Sequence, residues 1–209
     1  TLLRPDATEK DIEALCCEAI RHNFHAVCIN PCFVPFAKKL LKSSGVKVCT
    51  VVGFPLGAIS LKTKIFEAME AMLDGADELD MVINIGEARA GHWDSVRKEI
   101  SNFVIATPRI VHKIIIETCY LTDDEKIRAS LTAMDAGAEF IKTSTGFGPA
   151  GAVVRDVAMI KETTGGKIGI KASGGIRTLK DVLSFVEAGA TRIGTSAGLN
   201  IMKEVSLRD

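Results

Sequence analysis

The sequence has no net charge: its 26 lysines and arginines are matched by 26 aspartates and glutamates. It therefore lacks the basic footprint with which a protein binds nucleic acid or an anionic membrane surface. No apolar run approaches the roughly 18 residues that a membrane-spanning helix needs. The opening Thr1-Leu2-Leu3-Arg4-Pro5-Asp6 is not a secretory signal and reads as a chain that enters directly on a strand. The six cysteines, Cys16, Cys17, Cys28, Cys32, Cys49 and Cys119, form no CxxC pair and no zinc-ligand spacing. A disulfide framework is not expected at this length and composition, so the expected setting is reducing and cytoplasmic. His22, His25, His92 and His112 make no cluster with carboxylates, so no metal site is expected. No linker or low-complexity segment divides the chain. One domain over residues 1–209 is expected, with truncation left open at either terminus.

What is present is regular. At 47% hydrophobic and 25% charged residues, the composition is that of an ordinary globular protein. Strand-like runs recur at Ala26 to Asn30, Val46 to Phe54, Glu78 to Ile83, His112 to Glu117, Glu139 to Ser144, Lys167 to Ser173 and Thr191 to Ser196. Helical patterns lie between them, at Thr8 to His22, Ser60 to Leu73, Trp93 to Ile105, Asp123 to Met134, Val153 to Thr163 and Thr178 to Val186. A weak repeat marks the junctions. Asp74-Gly75-Ala76-Asp77, Ala136-Gly137-Ala138-Glu139 and Ala188-Gly189-Ala190-Thr191 each follow a helix and precede a strand. Glycine there suits the left-handed residue that ends a helix. Strand alternating with helix predicts a parallel sheet. With Thr1-Leu2-Leu3 as an eighth strand, the expected fold is an α/β (β/α)8 TIM barrel. No GxGxxG follows the first strand, which disfavours a dinucleotide-binding fold.

A β/α barrel places its active site where the strands end. Alternation puts Phe140 and Lys142 on one face of their strand; if Ile141 packs on helices, Lys142 points inward. A strand-end lysine can simply snorkel to water. However, Lys171 has the same parity on the next strand, and two inward cations are costly unless used. A neighbouring cation and desolvation both favour a neutral amine, the form that attacks a carbonyl. Asp80 would face the same interior, as counter-ion or proton relay, and Glu117 and Thr143 are further candidates. Cys28 is expected in the core or lining the pocket. The late loops Ser144-Thr145-Gly146-Phe147-Gly148, Ser173-Gly174-Gly175-Ile176-Arg177 and Gly194-Thr195-Ser196-Ala197-Gly198 are rich in glycine and hydroxyls. Backbone N–H groups in such loops can cradle a phosphate, and Arg177 could add charge.

Ile141-Lys142-Thr143-Ser144-Thr145-Gly146-Phe147-Gly148 and Ile170-Lys171-Ala172-Ser173-Gly174-Gly175-Ile176-Arg177 resemble the two signature segments of the deoxyribose-phosphate aldolases. The resemblance extends to Val27-Cys28-Ile29-Asn30-Pro31, Val51-Val52-Gly53-Phe54-Pro55-Leu56-Gly57, Glu78-Leu79-Asp80-Met81-Val82-Ile83-Asn84 and Ile115-Ile116-Glu117-Thr118, nearly the whole chain. It implies a class I aldolase without metal or cofactor. The implied reaction reversibly cleaves 2-deoxy-D-ribose 5-phosphate to acetaldehyde and D-glyceraldehyde 3-phosphate, in deoxyribonucleoside catabolism. By the same resemblance Lys142 forms the imine, Lys171 tunes it and joins a proton relay, and Asp80 serves that relay. Gly146, Gly174, Gly175, Gly194 and Ser196 fall where the family binds phosphate. The implied partners are a phosphosugar and an aldehyde, and a homodimer or other homo-oligomer is expected. The family's acidic residue before the segment matching Thr1-Leu2-Leu3 precedes this sequence. Two alternatives remain: another barrel Schiff-base aldolase, separated by substrate preference, and a non-catalytic phosphosugar-binding barrel, separated by borohydride trapping.

Overall fold

A computed structural model describes residues 1–207 of the chain. Seven strands form one parallel sheet in sequence order: β1 (Ala26–Ile29), β2 (Lys47–Val52), β3 (Glu78–Val82), β4 (Val111–Ile115), β5 (Phe140–Lys142), β6 (Gly169–Ser173) and β7 (Arg192–Gly194). Helix α1 (Glu9–Arg21) precedes β1, and α2 (Val34–Leu41), α3 (Leu61–Leu73), the short α4 (Ile85–Arg89) and α5 (Trp93–Ala106) follow β1 to β3. The later units carry α6 (Asp123–Asp135), α7 (Val154–Thr164), α8 (Leu179–Ala188) and α9 (Gly198–Ser206). This is the β/α-barrel architecture expected from the alternation. No helix among the described residues is long and apolar enough to cross a membrane.

One expected strand is corrected. Thr1–Leu3 sits beside β1, but only Leu2 pairs, in a single parallel bridge to Ile29. Its N–H donates to the Cys28 carbonyl at 2.8 Å, and the Thr1 nitrogen reaches the Thr195 carbonyl at 3.1 Å beyond β7. Pro5 follows closely and has no N–H with which to continue a ladder. Helices α2 and α4 were not anticipated. In α2, Pro35 lies in the first turn, where a missing N–H costs nothing.

Strand alternation divides the side chains into two environments. Val27, Ile29, Val48, Leu79, Met81, Ile114, Ile116, Ile141 and Ile170 pack outward against buried helix residues such as Ile12, Ala37, Ala68, Phe103, Ala133, Val157 and Phe185. That outer layer supplies the hydrophobic driving force. The interior is left to residues of the other parity. The repeated junctions behave as expected: Gly75, Gly137 and Gly189 have φ of 102°, 90° and 116°, which a Cβ would strain.

Candidate active site

Asp80 is completely buried and stands at the centre of the interior. Its Oδ1 accepts from Lys113 Nζ at 2.9 Å. Its Oδ2 accepts from Lys142 Nζ at 2.8 Å and from Lys171 Nζ at 2.6 Å. Strand register produces this convergence, since Asp80 pairs across β3–β4 with Lys113, and Lys142 pairs across β5–β6 with Lys171. A second carboxylate supports it from the start of β3. Glu78 accepts from Lys113 at 2.6 Å, from Arg192 through both oxygens at 3.2 and 3.1 Å, and lies 2.8 Å from His25 Nε2. The Arg192 guanidinium also lies 5.1 Å from the centre of the Phe140 ring. A Cβ on Gly169 would run into that ring, so glycine there makes room for it.

Burial alone would push the Asp80 carboxyl up, but Lys113, Lys142 and Lys171 hold it well below the usual carboxylate range. Glu78 is likewise opposed by burial yet held at about 2, chiefly by Lys113. Burial works against the charge on Lys113 and Lys171 too. In both, Asp80 overcomes it and raises the amine above its ordinary range. The cost of adjacent inward lysines is thus met by a carboxylate shared between them.

Sequence reasoning missed Lys113, Glu78 and Cys49. A lysine inside the apolar run Val111–Ile115, in phase with Ile115, was the available signal for Lys113. Cys28 and Cys49 are register partners on β1 and β2, both buried and inward. Their sulfurs lie 4.0 and 3.2 Å from Asp80 Oδ2 and Oδ1. Hydrogen bonding from Cys49 lowers the Cys28 thiol, and burial raises that of Cys49. The donor atoms of Cys28, Cys49 and Asp80 fall within 4.8 Å of one another. Three ammonium groups already occupy Asp80, and their charge opposes a metal cation.

A cavity of about 360 Å³ opens over the two amines on the side where the strands end. Lys142, Lys171 and Ser173 line its floor, and the glycine loops form its wall at Gly146, Gly174, Gly175, Gly194 and Ser196. Gly146, Gly174 and Gly175 have φ of 87°, 90° and 80°. Gly194 is required for space instead: a Cβ there would collide with the Ser173 hydroxyl and come within 3.0 Å of Lys171 Cε. Arg177 is exposed at the edge.

Two expected members lie elsewhere. Glu117 does not join the amine cluster. Its backbone is left-handed, at φ 49°, and its carboxylate accepts the Thr145 N–H through both oxygens at 3.2 Å, as well as the Thr145 hydroxyl. Burial pushes its carboxyl up. Glu117 therefore clamps the loop that carries Gly146. Thr143 has the opposite parity to Lys142 and does not line the cavity. Its hydroxyl donates to the Ser173 carbonyl at 3.2 Å and accepts from the Ser173 N–H at 3.1 Å, tying the ends of β5 and β6 together.

A barrel with buried amines at its strand ends, below glycine-rich loops, is the form of a β/α-barrel aldolase. The chain belongs to the DeoC/LacD aldolase family, whose model matches residues 1–204. It is 56% identical over 207 residues to a deoxyribose-phosphate aldolase of Carboxydothermus hydrogenoformans, covering 97% of this chain and 91% of that one. To a deoxyribose-phosphate aldolase of Thermoanaerobacter sp. it is 54% identical, over 98% and 93% of the two chains. Among solved structures, the tetrameric deoxyribose phosphate aldolase of Aeropyrum pernix superposes with a TM-score of 0.92 at 32% identity, covering 100% of this chain and 89% of that one.

Proposed function

We propose that this chain reversibly cleaves 2-deoxy-D-ribose 5-phosphate to acetaldehyde and D-glyceraldehyde 3-phosphate through an imine on Lys142. The observation that carries the reading is the pair of buried amines, Lys142 and Lys171, on one oxygen of Asp80 beneath the phosphate-type loops. Of the three amines on Asp80, Lys142 and Lys171 line the cavity, whereas Lys113 is completely buried and does not line it. Lys113 and Lys171 are held as cations by Asp80. Lys142 is the cavity amine to which the resemblance to the aldolase signature segments assigns imine formation.

The Lys142 nitrogen adds to the C1 aldehyde of the open-chain sugar, and loss of water gives the protonated imine. A base takes the proton of the C3 hydroxyl, and the C2–C3 bond breaks. Its electron pair is drawn into the imine to form an enamine, while C3 leaves as the aldehyde of glyceraldehyde 3-phosphate. Protonation of the enamine at C2 and hydrolysis release acetaldehyde and restore Lys142. Asp80 and Lys171 relay these protons. Gly146, Gly174, Gly175, Gly194 and Ser196 hold the phosphate, and Arg177 adds charge at the rim. No metal or other cofactor takes part in these steps. The active protein is a homo-oligomer, most simply a dimer. Six free cysteines fit a reducing, cytoplasmic setting.

Borohydride reduction in the presence of deoxyribose 5-phosphate tests the reading. A stable adduct is expected on Lys142; no adduct, or one on another residue, sinks it. Lys142→Arg should abolish turnover, because a permanently charged guanidinium cannot attack a carbonyl.

A further inference from the structure

Ser173 ends β6, two residues beyond Lys171 and directly before Gly174. It shares the inward parity of Lys171 and lines the cavity over the amines. The residue is only 5% exposed. Its backbone N–H is bonded to the Thr143 hydroxyl, and its carbonyl accepts from the same group. The side-chain hydroxyl has no partner. A buried hydroxyl without a hydrogen bond is costly, and native proteins rarely leave one so. Across the strand pair it faces Gly194, where an added Cβ would collide with this hydroxyl.

Position along the strand says what the hydroxyl is for. The reactive amines lie below it and the Gly174–Gly175 turn lies above. A phosphosugar with C1 on Lys142 and its phosphate at that turn carries its middle carbons past Ser173. In deoxyribose 5-phosphate those carbons, C3 and C4, each bear a hydroxyl. C3 is the reacting centre and belongs to the proton relay. C4, which derives from C2 of glyceraldehyde 3-phosphate, has no assigned partner in the site.

We propose that Ser173 Oγ hydrogen-bonds the C4 hydroxyl of the sugar, and so selects acceptor aldehydes hydroxylated next to the carbonyl. This rests on the aldolase reading of the same cavity. Ser173 is then a specificity-determining residue, not part of the proton chemistry. The Cβ-free Gly194 keeps the space that the hydroxyl needs.

The test runs the condensation of acetaldehyde with two acceptors, D-glyceraldehyde 3-phosphate and its analogue lacking the 2-hydroxyl. For the parent enzyme kcat/KM should favour the hydroxylated acceptor. Ser173→Ala should lower kcat/KM for that acceptor about tenfold and leave the analogue nearly unchanged, so that the preference collapses. An equal fall for both acceptors would mean a structural role and overturn the assignment. An undiminished preference in the variant would overturn it as well. Borohydride trapping of acetaldehyde is run alongside. Trapping on Lys142 in both proteins with no change in preference refutes Ser173 alone, whereas no trapping in the parent refutes the aldolase reading itself.

Discussion

Replacing Lys113 with methionine would leave Asp80 and Glu78 buried without the cation they share at 2.9 and 2.6 Å. Breaking a buried pair in this way costs about 3–5 kcal/mol, whereas a surface pair costs far less. Denaturant unfolding of Lys113→Met should show a loss of that order; a change within the error of the extrapolation would mean that the carboxylates find other partners. Glu78 makes a related prediction about pH. Its folded value, about 2, lies below the ordinary 4.5, so its stabilisation is complete above that ordinary value and fades as pH falls toward 2. The shift corresponds to about 3 kcal/mol between those limits. Glu78→Gln removes the titrating group, and its stability should therefore fall less than the parent's between about pH 5 and about pH 3. Identical slopes for the two proteins would show that the acid sensitivity comes from elsewhere.

At the scale of elements, the helices are set by local chemistry. Thr8–Asp11, Thr122–Glu125 and Thr178–Asp181 form reciprocal capping boxes at the starts of α1, α6 and α8. Each satisfies N–H groups that a helix start otherwise leaves open. Thr122→Ala should cost about 1 kcal/mol in thermal or denaturant unfolding, without moving KM, because Thr122 does not line the cavity. A substantial change in KM would mean that α6 positions the site more directly than its contacts imply. The strands and most helices were legible because their periodicities are local. The first strand was not: Thr1-Leu2-Leu3 has strand-like residues, but pairing depends on partners distant in sequence and on Pro5 just after it. Helix α2 was likewise not anticipated; it is short, and Pro35 occupies its first turn.

On the scale of the whole molecule, the barrel is a device for bringing one layer of side chains together from strands far apart in the chain. Asp80, Lys142 and Lys171 are separated by up to 91 residues, yet two amines share one carboxylate oxygen. The protein should behave in solution as a homo-oligomer, so sedimentation velocity should give a multiple of 22.4 kDa. A purely monomeric species at micromolar concentration would contradict this.

The sequence by itself determined the alternation of strand and helix, the parity that turns Lys142, Lys171 and Asp80 inward, and the glycine turns above them. These follow from periods of two and 3.6 residues and from the φ values glycine permits, all of which act within a few residues. Only the tertiary structure decided which inward groups meet. Register across β3 and β4 placed the unforeseen Lys113 on Asp80, and register across β1, β2 and β3 brought Cys28 and Cys49 alongside it. The same packing sent Glu117 to Thr145 and Thr143 to the Ser173 backbone, and left the Ser173 hydroxyl alone in the cavity. Such outcomes depend on hydrogen-bond partners supplied by other strands, which no local pattern encodes.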